Sequence, residues 1–407
     1  MYRAITIILA AALLVAAAPA SARKGPCAPG SSARCTLWTG KVVYVNDGDT
    51  FDAIIGGRRQ TVRFTSIQAL ELTTYKLGHR TGECHAVETA NRTEHLLKQA
   101  HNRVRLSARN PGARASKGRL LRGVAIKLHG RWRDLGEMLL REGRAAYMTN
   151  VTERQFNVVY NRAQQEAAHE GINLFDPDHC KPGPQQELPI QVWANTDPVG
   201  IDEQHVNGEQ VKIRNLGTVP LALGGWSVRS GTMRKYRIPA GTSVAPGATL
   251  TVHAGHGSND ADELFWGLDQ PTFPNMGDAR HLGSGVYLFD PQADVRAYML
   301  YPCVVACTDP RQGALTVTGH PQRPESATVR NVSTTAFELY GLELSVKGSA
   351  YAFPEGAILR PGASRTVDVA RDWGSNDLEM PDAGGSVTLR TPGDIRIDCD
   401  AWGSGSC

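Results

Sequence analysis

Beyond its first residues this chain has no run long and apolar enough to cross a bilayer, so no helical membrane span is expected. It also lacks a strong charge of one sign. Charged residues make up 21% and the net charge is +4, so composition alone demands no polyanionic partner. No two cysteines form a Cys-x-x-Cys pair and none sits among histidines at zinc spacing, which excludes the common zinc modules. Helical periodicity disappears in the second half. At 407 residues the chain is too long for one ordinary domain, and two or three are expected.

What is present begins at the N-terminus. Met1, Tyr2 and Arg3 make a short positive start, residues 7–18 are apolar but too short to span, and Ala20-Ser21-Ala22 fits a small-x-small cleavage site. Residues 1–22 are therefore read as a signal peptide, and the protein as secreted, with cell-surface association open. Eight cysteines agree with an oxidising compartment. Cys27 with Cys35, Cys303 with Cys307 and Cys399 with Cys407 are plausible short-loop pairs. Cys84 with Cys180 would then close a long loop. A catalytic thiol is the alternative for any one of them.

The first half is organised around Asn46 to Glu71. Asp47-Gly48-Asp49-Thr50 is an acidic corner after an apolar run, Gly56-Gly57 reads as a hairpin turn, and Thr61 to Ile67 alternates as a second strand containing Arg63. Glu71 follows the strand end. Two carboxylates, Asp49 and Glu71, and one guanidinium thus meet at one end of a small sheet, a combination suited to a divalent cation and a phosphate. The plain alternatives are an Asx turn at Asp49, a surface carboxylate at Glu71 and an ion pair between Arg63 and Asp52.

A helix is expected from His85 to Ala100, short strands at Val104–Leu106 and Leu120–Leu128, a turn at His129-Gly130-Arg131, and a helix capped by Asp134. A third helix is expected from Glu153 to Glu170, capped by Thr152, with Phe156, Val159, Tyr160, Ala163 and Ala167 facing inward. Residues 101–144 hold twelve lysines and arginines, a local basic field. The order of elements is that of a five-stranded barrel of the oligonucleotide-binding type with three helices.

The segments Asp47-Gly48-Asp49-Thr50, Val62 to Glu71, Arg122-Gly123-Val124-Ala125 and Asp134 to Gly143 together resemble the staphylococcal-nuclease-like (thermonuclease) family, over a region reaching about Phe175. The resemblance implies that barrel fold and calcium-dependent hydrolysis of DNA or RNA. It assigns Asp49 to the cation, Glu71 to water activation, and Arg63 to the phosphate. The second phosphate-clamping arginine is Arg122, with Arg119 as the alternative. Lys117 and Tyr147 are weaker candidates for the substrate groove. Gln68 takes the position of the family's second metal-binding aspartate and Leu70 that of a proline. One negative charge is thereby lost and a weakened calcium site is implied. A catalytically silent, polyanion- or envelope-binding adhesion protein is the competing expectation.

Residues 181–190 are Pro-rich and read as a linker. After them short Val/Leu/Ile/Thr alternations return between Gly and Pro, the pattern of β-sandwiches. Val211 to Thr218 matches Ala327 to Thr334, and Tyr236 to Gly241 matches Tyr351 to Gly356, an internal repeat. The expected organisation is an N-terminal arm (23–37), a nuclease-like domain (38–180), the linker, and two immunoglobulin-like sandwiches in tandem (191–303 and 308–407). The first sandwich resembles the lamin tail domain through Glu209 to Asn215, Leu223-Gly224-Gly225-Trp226, Pro246-Gly247-Ala248 and Leu264 to Gly267. The second is divergent, with Leu342 in place of Trp226. Trp226, Trp266, Trp373 and Trp402 are read as packing residues, the sandwich ligand is unknown, and a monomer is the working expectation.

Overall fold

The structure is a computed structural model and describes residues 23–180, 188–198, 201–276, 282–373 and 379–407. The expected signal peptide and residues 181–187 of the expected linker lie outside these. Among the described residues no helix is long and apolar enough to cross a membrane.

The first half is a closed barrel. Strands β1 (Arg34–Val45), β2 (Thr50–Ile55), β3 (Arg58–Phe64), β4 (Arg103–Ala108) and β5 (Leu120–Leu128) close in the order β1-β2-β3-β5-β4 and back to β1. β3 pairs with β5 in parallel and the other contacts are antiparallel. Gly56 and Gly57, both at positive φ, turn β2 into β3. His129 and Gly130, also at positive φ, turn β5 into β6 (Arg131–Asp134), which continues the sheet. Inward residues alternate, so Phe51, Val62, Phe64, Leu106, Val124 and Ile126 fill the interior.

Helix α1 runs Cys84–Gln99, α2 Leu135–Arg141 and α3 Asn157–Glu170. Asp134 caps α2 by accepting from the Glu137 N–H at 3.2 Å. Gly171, at φ +64°, ends α3 in the left-handed conformation. Thr152 does not cap the third helix. Asn150 accepts from the backbone N–H groups of Thr152 and Glu153, and a 3-10 turn, Arg154–Phe156, intervenes. Val159 does not face inward and is 47% exposed. The strand expected to run to Ile67 stops at Phe64. Ser66 sits at φ +61°, and Ile67–Gln68 pairs instead with Ala146–Tyr147.

The second half is β-rich and sandwich-like. Between 190 and 301 two four-stranded sheets enclose Ile213, Trp226, Val228, Leu250 and Leu288. Between 315 and 403 a three-stranded and a four-stranded sheet enclose Val329, Leu342, Leu344, Phe353 and Leu389. The internal repeat extends to single hydrogen bonds. Buried Asn215 donates to the carbonyls of Val219 and Val244 and accepts from Gly217. Buried Asn331 donates to those of Thr335 and Leu359 and accepts from Ser333. Trp226 and Trp373 are buried, while Trp266 and Trp402 pack at core edges.

All eight cysteines form disulfides: Cys27–Cys35, Cys84–Cys180, Cys303–Cys307 and Cys399–Cys407. A free catalytic thiol is therefore ruled out. Cys84–Cys180 spans 96 residues and ties the start of α1 to the end of the barrel region. Closing a loop of that size stabilises by about 4–5 kcal/mol in the chain-entropy picture. Four disulfides fit an extracellular protein.

Candidate active site

The break at Ser66 shapes the end of the barrel. It turns the chain so that Gln68 and Glu71 come back over the acidic corner between β1 and β2. The result is a cleft of about 530 Å³ whose lining includes Asp47, Asp49, Arg63, Gln68, Glu71, Lys117 and Arg119.

Asp49 is buried at its centre. One carboxylate oxygen pairs with Arg63 and accepts from the Thr50 hydroxyl at 3.0 Å. The other accepts from the Ala69 N–H at 2.6 Å. Arg63 also donates to Gln68 Oε1 at 2.6 Å, so its partners are Asp49 and Gln68 and not Asp52, which binds Arg59 and Thr61. Gln68 in turn donates to Glu71 Oε1 at 3.2 Å. The amide therefore links the guanidinium to Glu71. A carboxylate at 68 has no hydrogen to donate and would repel Glu71.

Burial pushes the Glu71 carboxyl up, Asp49 adds to the rise, and Arg63 opposes it. Burial also drives Asp47 up to about 8, reinforced by the negative charge of Asp49. Asp47 was not singled out among the sequence candidates. Its place two residues before Asp49 was the available signal, but its Oδ1 also accepts from the Asp49 N–H at 3.1 Å, as an ordinary turn aspartate does. With its carboxyl at about 8, Asp47 holds its proton at neutral pH when nothing cationic lies beside it. These hard oxygen donors fit a cation of the calcium type, with Asp49 as the charged ligand and Asp47 joining it by giving up its proton as the cation binds. Gln68 Oε1, already held by Arg63, is at most a neutral supplement.

One consequence is measurable. Gln68→Asp places a carboxylate at the cleft wall and is expected to tighten binding of any calcium-type cation there by roughly tenfold. Calorimetric titration of both proteins checks it, and an unchanged affinity would show that residue 68 does not face the ion.

The two candidate second arginines separate. Arg119 lines the cleft, held by Ser116 at 2.7 Å and 3.1 Å and reaching the Thr50 hydroxyl at 3.5 Å. Positive φ at Lys117 and Gly118 curls the loop that delivers it. Arg122, the sequence-preferred residue, is turned away. It donates to the carbonyls of Pro111, Ala113 and Leu121 and lies over the Trp38 ring at 4.6 Å. Burial and nearby Arg114 pull its pKa down to about 10. Tyr147 is also outside the cleft, fully buried, with its hydroxyl against Thr149. Lys117 is among the residues lining the cleft.

Away from the cleft, Cys84, His85, His179, Cys180 and Asp294 also bring donor atoms together. The two sulfurs are bonded to each other and His85 Nε2 faces Asp294 at 3.3 Å, so this cluster ties the barrel to the strands after it.

That neighbour has a recognisable pattern. Residues 194–301 match the family model of the Lamin Tail Domain. No curated protein matches the chain. The lamin tail domain lies directly behind the cleft. Leu70 and Leu72, flanking Glu71, share an apolar cluster with Met233, Phe289, Ala293 and Val295 of the lamin tail region. Arg229, buried in that region, makes a two-pronged pair with Glu83 at 2.7 and 2.9 Å, and the Glu83 N–H reaches the Glu71 carbonyl at 3.3 Å. Burial alone would raise the Glu83 carboxyl, but Arg229 and Lys235 hold it below its usual range. The segment carrying Glu71 is thus seated on the lamin tail domain.

Proposed function

We propose that the protein is a secreted phosphodiester hydrolase acting on nucleic acid, with a divalent cation of the calcium type. The observation that carries this reading is the cleft itself: Asp49, Arg63, Glu71 and Arg119 converge on one polar cavity. Hydrolysis of a phosphodiester needs a base for water, a positive surface for the phosphoryl oxygens, and neutralisation of charge as the leaving oxygen departs.

In this reading Glu71 takes a proton from a water molecule. The water oxygen bonds to phosphorus as the opposite ester P–O bond breaks. Arg63 and Arg119 hold the charge of the non-bridging oxygens, and the leaving oxygen takes a proton from solvent. Gln68 keeps Glu71 oriented through its amide N–H. Burial raises the basicity of Glu71, which suits a general base working near neutral pH. A cation bound at Asp47 and Asp49 would supply Lewis acidity at a phosphoryl oxygen. The β-rich second half is read as two lamin-tail-like modules, the second divergent. The first also buttresses the cleft, and the ligand-binding role of either is an accessory one.

The test is release of acid-soluble nucleotides from DNA by the protein beginning at Arg23, purified oxidised. Cleavage is expected with calcium and is expected to vanish with a chelator. Binding to DNA without cleavage under any divalent cation would instead favour the second reading, a silent polyanion-binding module, which the neutral amide of Gln68 supports.

A further inference from the structure

The basic field of residues 101–144 divides in two once folded. On the helical side the cations are paired. Arg141 pairs with Glu137 and Glu166, and Arg144 with Glu142. On the sheet side they are not. Strand register sets Lys41 of β1 directly opposite Arg103 of β4. Arg103 lies one step beyond the Val104–Ile126 pair, beside Lys127 of β5, and Lys127 faces Trp132 of β6. Lys41, Arg103, Lys127 and Trp132 therefore form one row across four adjacent strands on the outer face of the barrel. The three cations are exposed, and among the described residues none has an ion-pair partner. Arg105, in the next position outward on β4, lies over the Trp132 ring at 4.6 Å.

Like charges directly opposite on paired strands destabilise a sheet. A row of three without a single carboxylate costs stability and returns none within the fold. We propose that this row is a second nucleic-acid site, distinct from the cleft, that holds a single-stranded phosphodiester chain. Lys41, Arg103 and Lys127 take successive phosphates, and Trp132, half-buried and already stacked by Arg105, offers its face to an unpaired base. Adjacent strands are about 4.8 Å apart, so the cations are spaced on the scale of neighbouring phosphates. A duplex keeps its bases stacked on each other and cannot use Trp132. The site shares a substrate class with the proposed hydrolase, but its binding needs neither the cation nor Glu71.

The experiment measures equilibrium binding of a fluorescent 20-nucleotide single strand to the full chain from Arg23, with chelator and without divalent cation, over a salt series. The variants are Lys41→Ala/Arg103→Ala/Lys127→Ala combined, Trp132→Leu alone, and Arg360→Ala, an exposed cation of the second sandwich, as the control. The triple variant is expected to reduce the slope of log affinity against log salt by about 2, from about 0.7 per lost phosphate contact. Trp132→Leu is expected to weaken binding about tenfold with the slope unchanged. Arg360→Ala, far from the row and from the cleft, is expected to leave the slope as it was. All substitutions are on exposed or half-exposed positions, and matching thermal unfolding verifies the fold. A triple variant with the wild-type slope overturns the site. Base-free polyphosphate binding as tightly as the single strand, with Trp132→Leu silent, overturns the nucleic-acid assignment. Loss of cleavage with this binding intact would count against the proposed hydrolase alone.

Discussion

Glu71→Gln is expected to lower calcium-dependent cleavage of DNA by about 10²–10⁴-fold, the usual contribution of a positioned general base. The substitution keeps the side-chain shape and the packing of Leu70 and Leu72 against the neighbouring sandwich. The melting temperature is therefore expected to stay within a few degrees, and calcium binding to weaken only modestly. Steady-state rates at saturating substrate, beside a thermal unfolding curve, separate chemistry from folding. A Glu71→Gln variant that retains most of its rate would mean that water is activated elsewhere in the cleft or that the reaction needs no side-chain base. Raised pH should then fail to distinguish the two proteins.

The second large effect concerns the two arginines. Arg119→Ala is expected to reduce kcat by about 10²–10³-fold, the scale seen when one preorganised donor to a developing oxyanion is lost, with little change in stability. Its guanidinium is held by Ser116 and Thr50 at the rim, so removing it leaves no buried group without a partner. Arg122→Ala should behave in the opposite way. It frees the carbonyls of Pro111, Ala113 and Leu121 and uncovers Trp38. Each buried acceptor left unpaired costs about 1–3 kcal/mol, so the melting temperature falls. The protein that remains folded is expected to keep most of its rate per molecule. If Arg122→Ala abolished the rate at full stability, the assignment of the second arginine would revert to it.

That pair of residues shows where legibility ended. Local signals were read well when the residues causing them were neighbours in sequence. The Asp134 cap, the strand Leu120–Leu128, the glycine turn at residues 56–57 and the three short-loop cysteine pairs are all of this kind, and Cys84–Cys180 follows as the pair left over. The cleft members Asp49, Arg63 and Glu71 were legible from their spacing along one stretch. Arg119 and Arg122 lie three residues apart, and each fits a motif: Arg122 heads a strand at the right spacing to the following helix, and Arg119 sits in a Gly-Arg-Leu-Leu turn before that strand. What divides them is the left-handed backbone at Lys117 and Gly118 and the three carbonyls that claim Arg122, neither visible in a list of residues. Ser66 is similar: nothing in its identity announces a positive φ, yet that break is what sends Ile67–Gln68 to a second strand and turns Gln68 into the cleft. Val159 shows the reverse failure. It occupies an apolar position on the helical wheel, but among the described residues nothing covers it and it stays half-exposed.

The largest feature missed was the seam between the barrel and the sandwich. A strand packed on one face alternates, whereas Ser284–Phe289 is buried at all six positions because both of its faces are covered. Its sequence reads only as a short apolar run, which says that something covers it and not what. Tyr287 donates to Gln164 and Ser284 to the Tyr147 carbonyl, so the cover is α3 together with the short strand Ala146–Tyr147 of the barrel region.

For anyone wishing to produce the cleft-bearing part by itself, that seam is an obstacle. A truncation ending at Cys180 would leave Ala86, Ala90, Ala146, Leu174 and Phe175, now covered by Met233, Tyr287 and Phe289, as a bare apolar face. Such a face invites aggregation, and the segment carrying Glu71 would lose its floor. The smallest expressible unit with an assembled cleft therefore extends through Tyr301, and the two halves are better regarded as one part than as a catalytic head with a detachable accessory.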